Sequence, residues 1–219
     1  MPNIRYLLFD LDDTLYTNTS GLFNEVGDRI GQWTAEALGL SLTEAEALRR
    51  TYYRTYGTTM AGLLREHPEV DIDAYLDYVH DIDVARYLDA APDLAAMLES
   101  LSVPKAVFTN SIADWAERVT RQLGVRHHFE HIFDVRAVGY RSKPDPHAYS
   151  WVLERLGLPG EACVMLDDQP TYLLGAAEAG MTTVLVRSHA DRRNGDDAID
   201  YAVDHVLDAE PILQRLLKN

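Results

Sequence analysis

Four short segments hold side chains that could do chemistry together. They are Asp10-Leu11-Asp12-Asp13-Thr14, Thr109-Asn110-Ser111, Lys143 and Asp167-Asp168. Carboxylates gathered without a histidine or thiol partner select a hard cation such as Mg²⁺, which keeps several waters and favours phosphate-bearing ligands. A nearby ammonium and hydroxyl supply a positive charge and a donor for phosphate oxygens, and helix N-termini add backbone N–H groups. The set fits phosphoryl transfer: metal and lysine neutralise the transferred group, one carboxylate attacks it, and a second carboxylate two residues on moves protons. Singly, each segment has an ordinary explanation. An Asp-x-Asp often makes a turn, Thr109-Asn110-Ser111 and Asp167-Asp168 suit helix caps, and Lys143 beside Pro144 suits a solvated loop.

What joins them is the elements that precede them. Ile4 to Leu11 is an apolar run ended by acids, the pattern of a central strand buried on both faces. Val103–Thr109, Ile132–Val135, Ala162–Leu166, Thr182–Val186 and Tyr201–Leu207 read as further strands. Helices alternate with them over Asp93–Leu101, Ile112–Leu123, Pro146–Leu156, Thr171–Ala179 and Pro211–Leu217. This alternation calls for a parallel sheet covered by helices on both faces, a Rossmann-like three-layer α/β core. All four segments lie at or just beyond strand C-termini, the edge where open α/β sheets bind ligands.

Between the first and second strands the texture differs. Leu22, Val26, Ile30, Trp33 and Ala37 recur at helical spacing before Gly39. Thr43 with Glu46 reads as a capping box opening a second helix through Tyr52. Thr58–Arg65 and Ile72–Val79 read as two more. The expected organisation is a core of residues 1–15 and 90–219 with an all-helical domain, residues 16–89, inserted after the first strand.

The 219 residues include 35 acidic and 20 basic side chains, a formal net charge of −15. Such acidity argues against a nucleic-acid polymer as partner, and against anionic membrane surfaces. The single cysteine, Cys163, excludes an intramolecular disulfide and is expected to start a buried strand as an inert thiol. Acids arrive by Asp10, too early for a secretory signal, and no apolar run approaches the roughly 20 residues of a membrane helix, so a cytoplasmic location is expected. His127, His128 and His131 form an HHxxH cluster that reads as surface histidines beyond a helix end rather than a zinc site. Arg192 and Arg193 sit in a polar stretch, Ser188–Asp200, and read as solvated loop charges.

The order of these segments resembles that of the haloacid dehalogenase-like hydrolase superfamily over nearly the whole chain. DLDDTLY (Asp10–Tyr16), FTNS (Phe108–Ser111), SKPDP (Ser142–Pro146) and MLDDQ (Met165–Gln169) look like its four motifs in sequence. The resemblance implies that Asp10 is the nucleophile and Asp12 the general acid/base, that Thr109 and Asn110 bind phosphate, and that Lys143 stabilises charge between them. It implies Mg²⁺ held by the Asp10 carboxylate, the Asp12 backbone carbonyl and Asp168, with Asp167 acting through water, and a helical cap over the site. An acid at Asp12 favours phosphate esters over attack on carbon. Many capped relatives read Asp-Asp-Ser where this chain has Asp167-Asp168-Gln169. Within the insert, Asn24–Ile30, Tyr53–Leu63 and His80-Asp81 resemble the pyrimidine 5′-nucleotidase branch. That implies a nucleoside monophosphate such as UMP or CMP, with Tyr56 stacking on the base and Arg54, Thr58 and Thr59 donating to it. A sugar-phosphate phosphatase or phosphomutase, or a non-catalytic binding protein on the same core, remains the alternative.

Overall fold

The computed structural model describes residues 3–186 and 198–218. Its strands are β1 (Tyr6–Phe9), β2 (Lys105–Phe108), β3 (His131–Phe133), β4 (Cys163–Asp167), β5 (Thr182–Val186) and β6 (Tyr201–Val203). All adjacent pairs are parallel, in the order β3-β2-β1-β4-β5-β6. The chain runs from β1 to β2 on one side and resumes at β4 on the other, so the strand order reverses beside β1. That reversal opens a crevice beyond the C-termini of β1, β2 and β4.

Helices α1 (Leu22–Leu38), α2 (Leu42–Tyr56), α3 (Thr59–Glu66) and α4 (Ile72–His80) form the segment between β1 and β2. Helices α5 (Pro92–Ser100), α6 (Ala113–Gln122), α7 (Pro146–Leu156), α8 (Pro170–Glu178) and α9 (Glu210–Leu217) accompany the strands. The sheet buries both faces. Leu7, Phe9, Val164 and Leu166 belong to one apolar cluster, whereas Tyr6, Leu8, Cys163 and Met165 belong to the other. This is the period-two sidedness of a strand covered on both sides, and it explains why β1 and β4 read as unbroken apolar runs. The first cluster continues into the helical insert through Leu22, Val26, Tyr52, Leu63 and Leu76.

Local signals act as expected in most places. Gly39 ends α1 at φ 65° and returns its N–H to the Ala35 and Glu36 carbonyls. One expectation needs correction. The capping box on α2 is Ser41 with Glu44, not Thr43 with Glu46. Ser41 keeps an extended backbone and accepts from the Glu44 N–H at 3.3 Å, so α2 starts at Leu42. The last strand is also shorter than its apolar run: Val206–Ala209 turns as a short 3₁₀ helix instead. Arg192 and Arg193, with most of the polar stretch around them, lie outside the described residues. Among the described residues, no helix is long and apolar enough to cross a membrane.

Candidate active site

The sheet edge assembles the first site from three strands. Asp10 extends β1, its N–H bonded to the Leu166 carbonyl at 2.8 Å. Asp10 as a whole is 7% exposed. Lys143, fully buried, reaches the same point from the loop before α7. All three of its N–H groups are used: Asp10 Oδ1 at 2.8 Å, Asp167 Oδ2 at 2.7 Å and the Phe108 carbonyl at 2.9 Å. Its main chain is held as well, since Asn110 Oδ1 accepts from the Lys143 N–H and Asn110 Nδ2 donates to the Lys143 carbonyl. Thr109, buried at the end of β2, accepts from the Ser111 N–H.

Charge balance at this point is uneven. Asp10, Asp167 and Asp168 bring ligand oxygens within 4.8 Å of one another, and Lys143 answers only one of the three charges. Burial penalises the ammonium of Lys143, yet Asp10 and Asp167 outweigh it and raise its pKa, so it stays charged. Burial first, then the Asp167 charge against the opposing pull of Lys143, pushes Asp10 up to about 8. Burial with the Asp167 and Asp10 charges pushes Asp168 up to about 9. Burial raises Asp167 also, with Lys143 opposing. Hard oxygen donors with this excess of negative charge fit a small divalent cation, which would remove the penalty. Among the described residues this is the one such cluster; His127, His128 and His131 make none.

Asp12 is held by a different set of groups. Its Oδ1 accepts from the Tyr16 hydroxyl at 2.6 Å and from Trp115 Nε1 at 2.9 Å, and its Oδ2 accepts from the Ser111 hydroxyl at 2.7 Å. These three donors, none of them anticipated from sequence, orient Asp12 toward a cavity of about 290 Å³. Asp10, Asp12, Thr109, Asn110 and Asp168 line its floor. The helical insert makes its roof, largely apolar, with Val26, Ile30, Met60, Leu76 and Val79. Six polar residues of the insert also reach it: Arg49, Tyr53, Thr58, Thr59, Tyr75 and His80.

The proposed base-binding residues divide. Thr58 lines the cavity, caps α3 by accepting from the Ala61 N–H and lies 3.3 Å from the Ser142 hydroxyl. Arg54 and Tyr56 instead line an outer groove beside Pro144 and Thr171. The Tyr56 hydroxyl is bonded to Glu66 and its ring packs on Tyr52. Arg49, which no local motif singled out, pairs through Nη1 with Glu46 at 2.6 Å while its buried Nε finds no acceptor among the described residues.

Several bonds hold insert and core together. Tyr53 donates to Gln169 Oε1 at 2.6 Å, and Gln169 Nε2 donates to Asp168, so Gln169 ties the insert to the acidic cluster. Tyr172 donates to the Gly57 carbonyl at 2.9 Å. Gly57 has φ 85°, and a Cβ there would lie 2.5 Å from Pro144 Cδ, so only glycine permits this approach. Arg136 spans to Asp73 and Asp77 on α4 at 2.7 and 2.8 Å.

This layout, nucleophile-capable carboxylate, buried lysine and acidic cluster at a switch point, meets a family match. Residues 4–180 match the family described as haloacid dehalogenase-like hydrolase. The chain belongs to that family. Over 99% of its length it is 27% identical to the whole of a glyceraldehyde 3-phosphate phosphatase of Methanopyrus kandleri. It is also 25% identical to hexitol phosphatase A of Escherichia coli, over 91% of each chain. In fold it is similar to a solved HAD phosphatase from Thermococcus onnurineus, with a TM-score of 0.66 and 21% identity over 96% of this chain and 98% of that one.

Proposed function

We propose that this chain is a Mg²⁺-dependent phosphomonoesterase for a small phosphorylated sugar or polyol, working through a phosphoryl group on Asp10. The observation that carries the reading is the buried Asp10–Lys143–Asp167 assembly opening on a cavity that also holds Asp12. Lys143 occupies Asp10 Oδ1, while Oδ2 bonds no described residue and is the oxygen to attack phosphorus. The P–O bond to the leaving group breaks as the Asp10–phosphorus bond forms, and Asp12 supplies the proton to the departing oxygen. Water then attacks phosphorus, gives a proton to Asp12, and frees Asp10 and phosphate. Thr109 and the backbone beyond β2 face the phosphoryl oxygens, and Asn110 acts by fixing Lys143. Mg²⁺, held by Asp10, Asp168 and the Asp12 carbonyl with Asp167 behind them, would neutralise phosphoryl charge. The helical insert serves as the cap that encloses the substrate.

The substrate class rests on two supports. The similar proteins named above act on a triose phosphate and hexitol phosphates by their names. A cavity near 290 Å³ sits at the small end of ligand sites and suits a compact leaving group. The pyrimidine reading lacks such support, because Arg54 and Tyr56 stand outside the cavity. The test is phosphate release from triose, hexose and hexitol phosphates, UMP and CMP, with Mg²⁺, with chelator, and with Asp10→Asn. Mg²⁺-dependent release from the sugar or polyol esters, absent in Asp10→Asn, is expected. Release confined to UMP and CMP would overturn the substrate class, and release by Asp10→Asn would overturn the mechanism.

A further inference from the structure

Resting on the phosphatase reading, we infer that His80 selects the substrate by accepting a hydrogen bond from a hydroxyl beside the ester oxygen of the leaving group. His80 is the last residue of α4 and only 4% exposed. Its Nδ1 lies 2.7 Å from the Leu76 carbonyl oxygen. A carbonyl only accepts, so Nδ1 carries the proton, and in the neutral ring Nε2 is an acceptor. Nε2 bonds no described residue, and the ring lines the cavity. The acceptor therefore faces the substrate.

Its position is set from both sides. The ring packs on Trp115 with centroids 5.4 Å apart, and Trp115 Nε1 bonds Asp12 at 2.9 Å. The His80 carbonyl accepts from Arg118 on α6 at 2.6 Å, and the Ile82 carbonyl from the same guanidinium at 2.7 Å. His80 thus stands one aromatic ring from the group that protonates the leaving oxygen. His80 and Asp12 both line the cavity in which the leaving group would lie. On its own helix the cavity is also lined by Leu76 and Val79, which are apolar, and by Tyr75, which is 3% exposed. An apolar alkyl phosphate would leave Nε2 buried without a donor, which a polyol phosphate avoids.

The experiment compares kcat/KM for glycerol 3-phosphate and propyl phosphate, which differ in hydroxyls, with p-nitrophenyl phosphate as a general ester. The wild type is expected to prefer glycerol 3-phosphate over propyl phosphate by about 10- to 100-fold. His80→Asn keeps a donor for Leu76 but lacks Nε2, and His80→Phe keeps an aromatic ring on Trp115. Both are expected to bring the ratio near one, mainly through KM, and His80→Gln to restore part of it. A wild type without preference, or a ratio that survives in His80→Asn and His80→Phe, overturns the inference while the phosphatase reading stands. Equal losses on both esters with the ratio intact mean a structural role and also overturn it. A wild type that hydrolyses none of the three esters overturns the phosphatase reading, and the inference with it.

Discussion

The sheet edge and the roof of the insert face one another across the cavity and are built on opposite principles. At the edge, charged groups are buried and tightly bonded: Lys143 spends every N–H, and Asp12 accepts from three donors. On the roof, apolar side chains are interspersed with polar ones, and the ties to the core are single hydrogen bonds and partly exposed ion pairs. Strands fix positions within a packed core, so chemistry that needs fixed charge belongs there. Helices joined by loosely tied contacts can move, so enclosure and choice belong to them.

Breaking the edge has the largest expected effect. Lys143→Ala leaves Asp10 and Asp167 buried without a counter-charge, and removal of one partner of a buried pair costs about 3–5 kcal/mol. Urea unfolding should show that loss, together with loss of activity; an unchanged midpoint would mean the edge is not electrostatically strained. Asp12→Ala should lower kcat by about 10²–10⁴-fold. Single-turnover rates check it, and a fall under about tenfold would make Asp12 only a positioning group.

Cation binding sharpens the contrast. Asp10 and Asp168 are raised to about 8 and about 9, so the metal-free fold holds protons that the unfolded chain releases in the ordinary carboxyl range. Their contribution to stability is complete below that range and is lost as pH rises through the folded values. Mg²⁺ competes with those protons, so its stabilising effect should grow between about pH 6 and about pH 9. Thermal melts with Mg²⁺ and with chelator at both limits measure it; a shift that shrinks with pH would contradict the assignment. The roof should respond least. Arg136→Ala removes the bridge to Asp73 and Asp77 and should raise KM by about fivefold or less. Salt should produce a similar change in the wild type, since the pairs are partly exposed. A collapse of kcat in Arg136→Ala would place Arg136 closer to the chemistry than the geometry does.

The two regions also differ in how far they could be read from the chain. β1 and β4 are apolar runs ended by acids, so the strands, their parallel order and the gathering of Asp10, Thr109, Lys143 and Asp168 followed from local pattern and one topological rule. The α2 start did not, because Ser41–Glu44 and Thr43–Glu46 carry the same spacing and only packing chooses between them. The roof was the hardest part. Tyr53 lies 116 residues from Gln169 along the chain. Such contacts depend on how the insert lies over the sheet, which no local periodicity encodes. For the same reason Tyr56 and Arg54 looked as suited to substrate as His80 and Arg49 do in the folded chain.

The central claim is that Asp10 carries the phosphoryl group. The direct measurement is acid quench during turnover of a phosphate ester, followed by mass analysis of the peptide containing Asp10. The account predicts a transient gain of one phosphoryl group on that peptide, absent in Asp10→Asn, which should also release no phosphate. Phosphate release without any adduct, at an undiminished rate in Asp10→Asn, would contradict it.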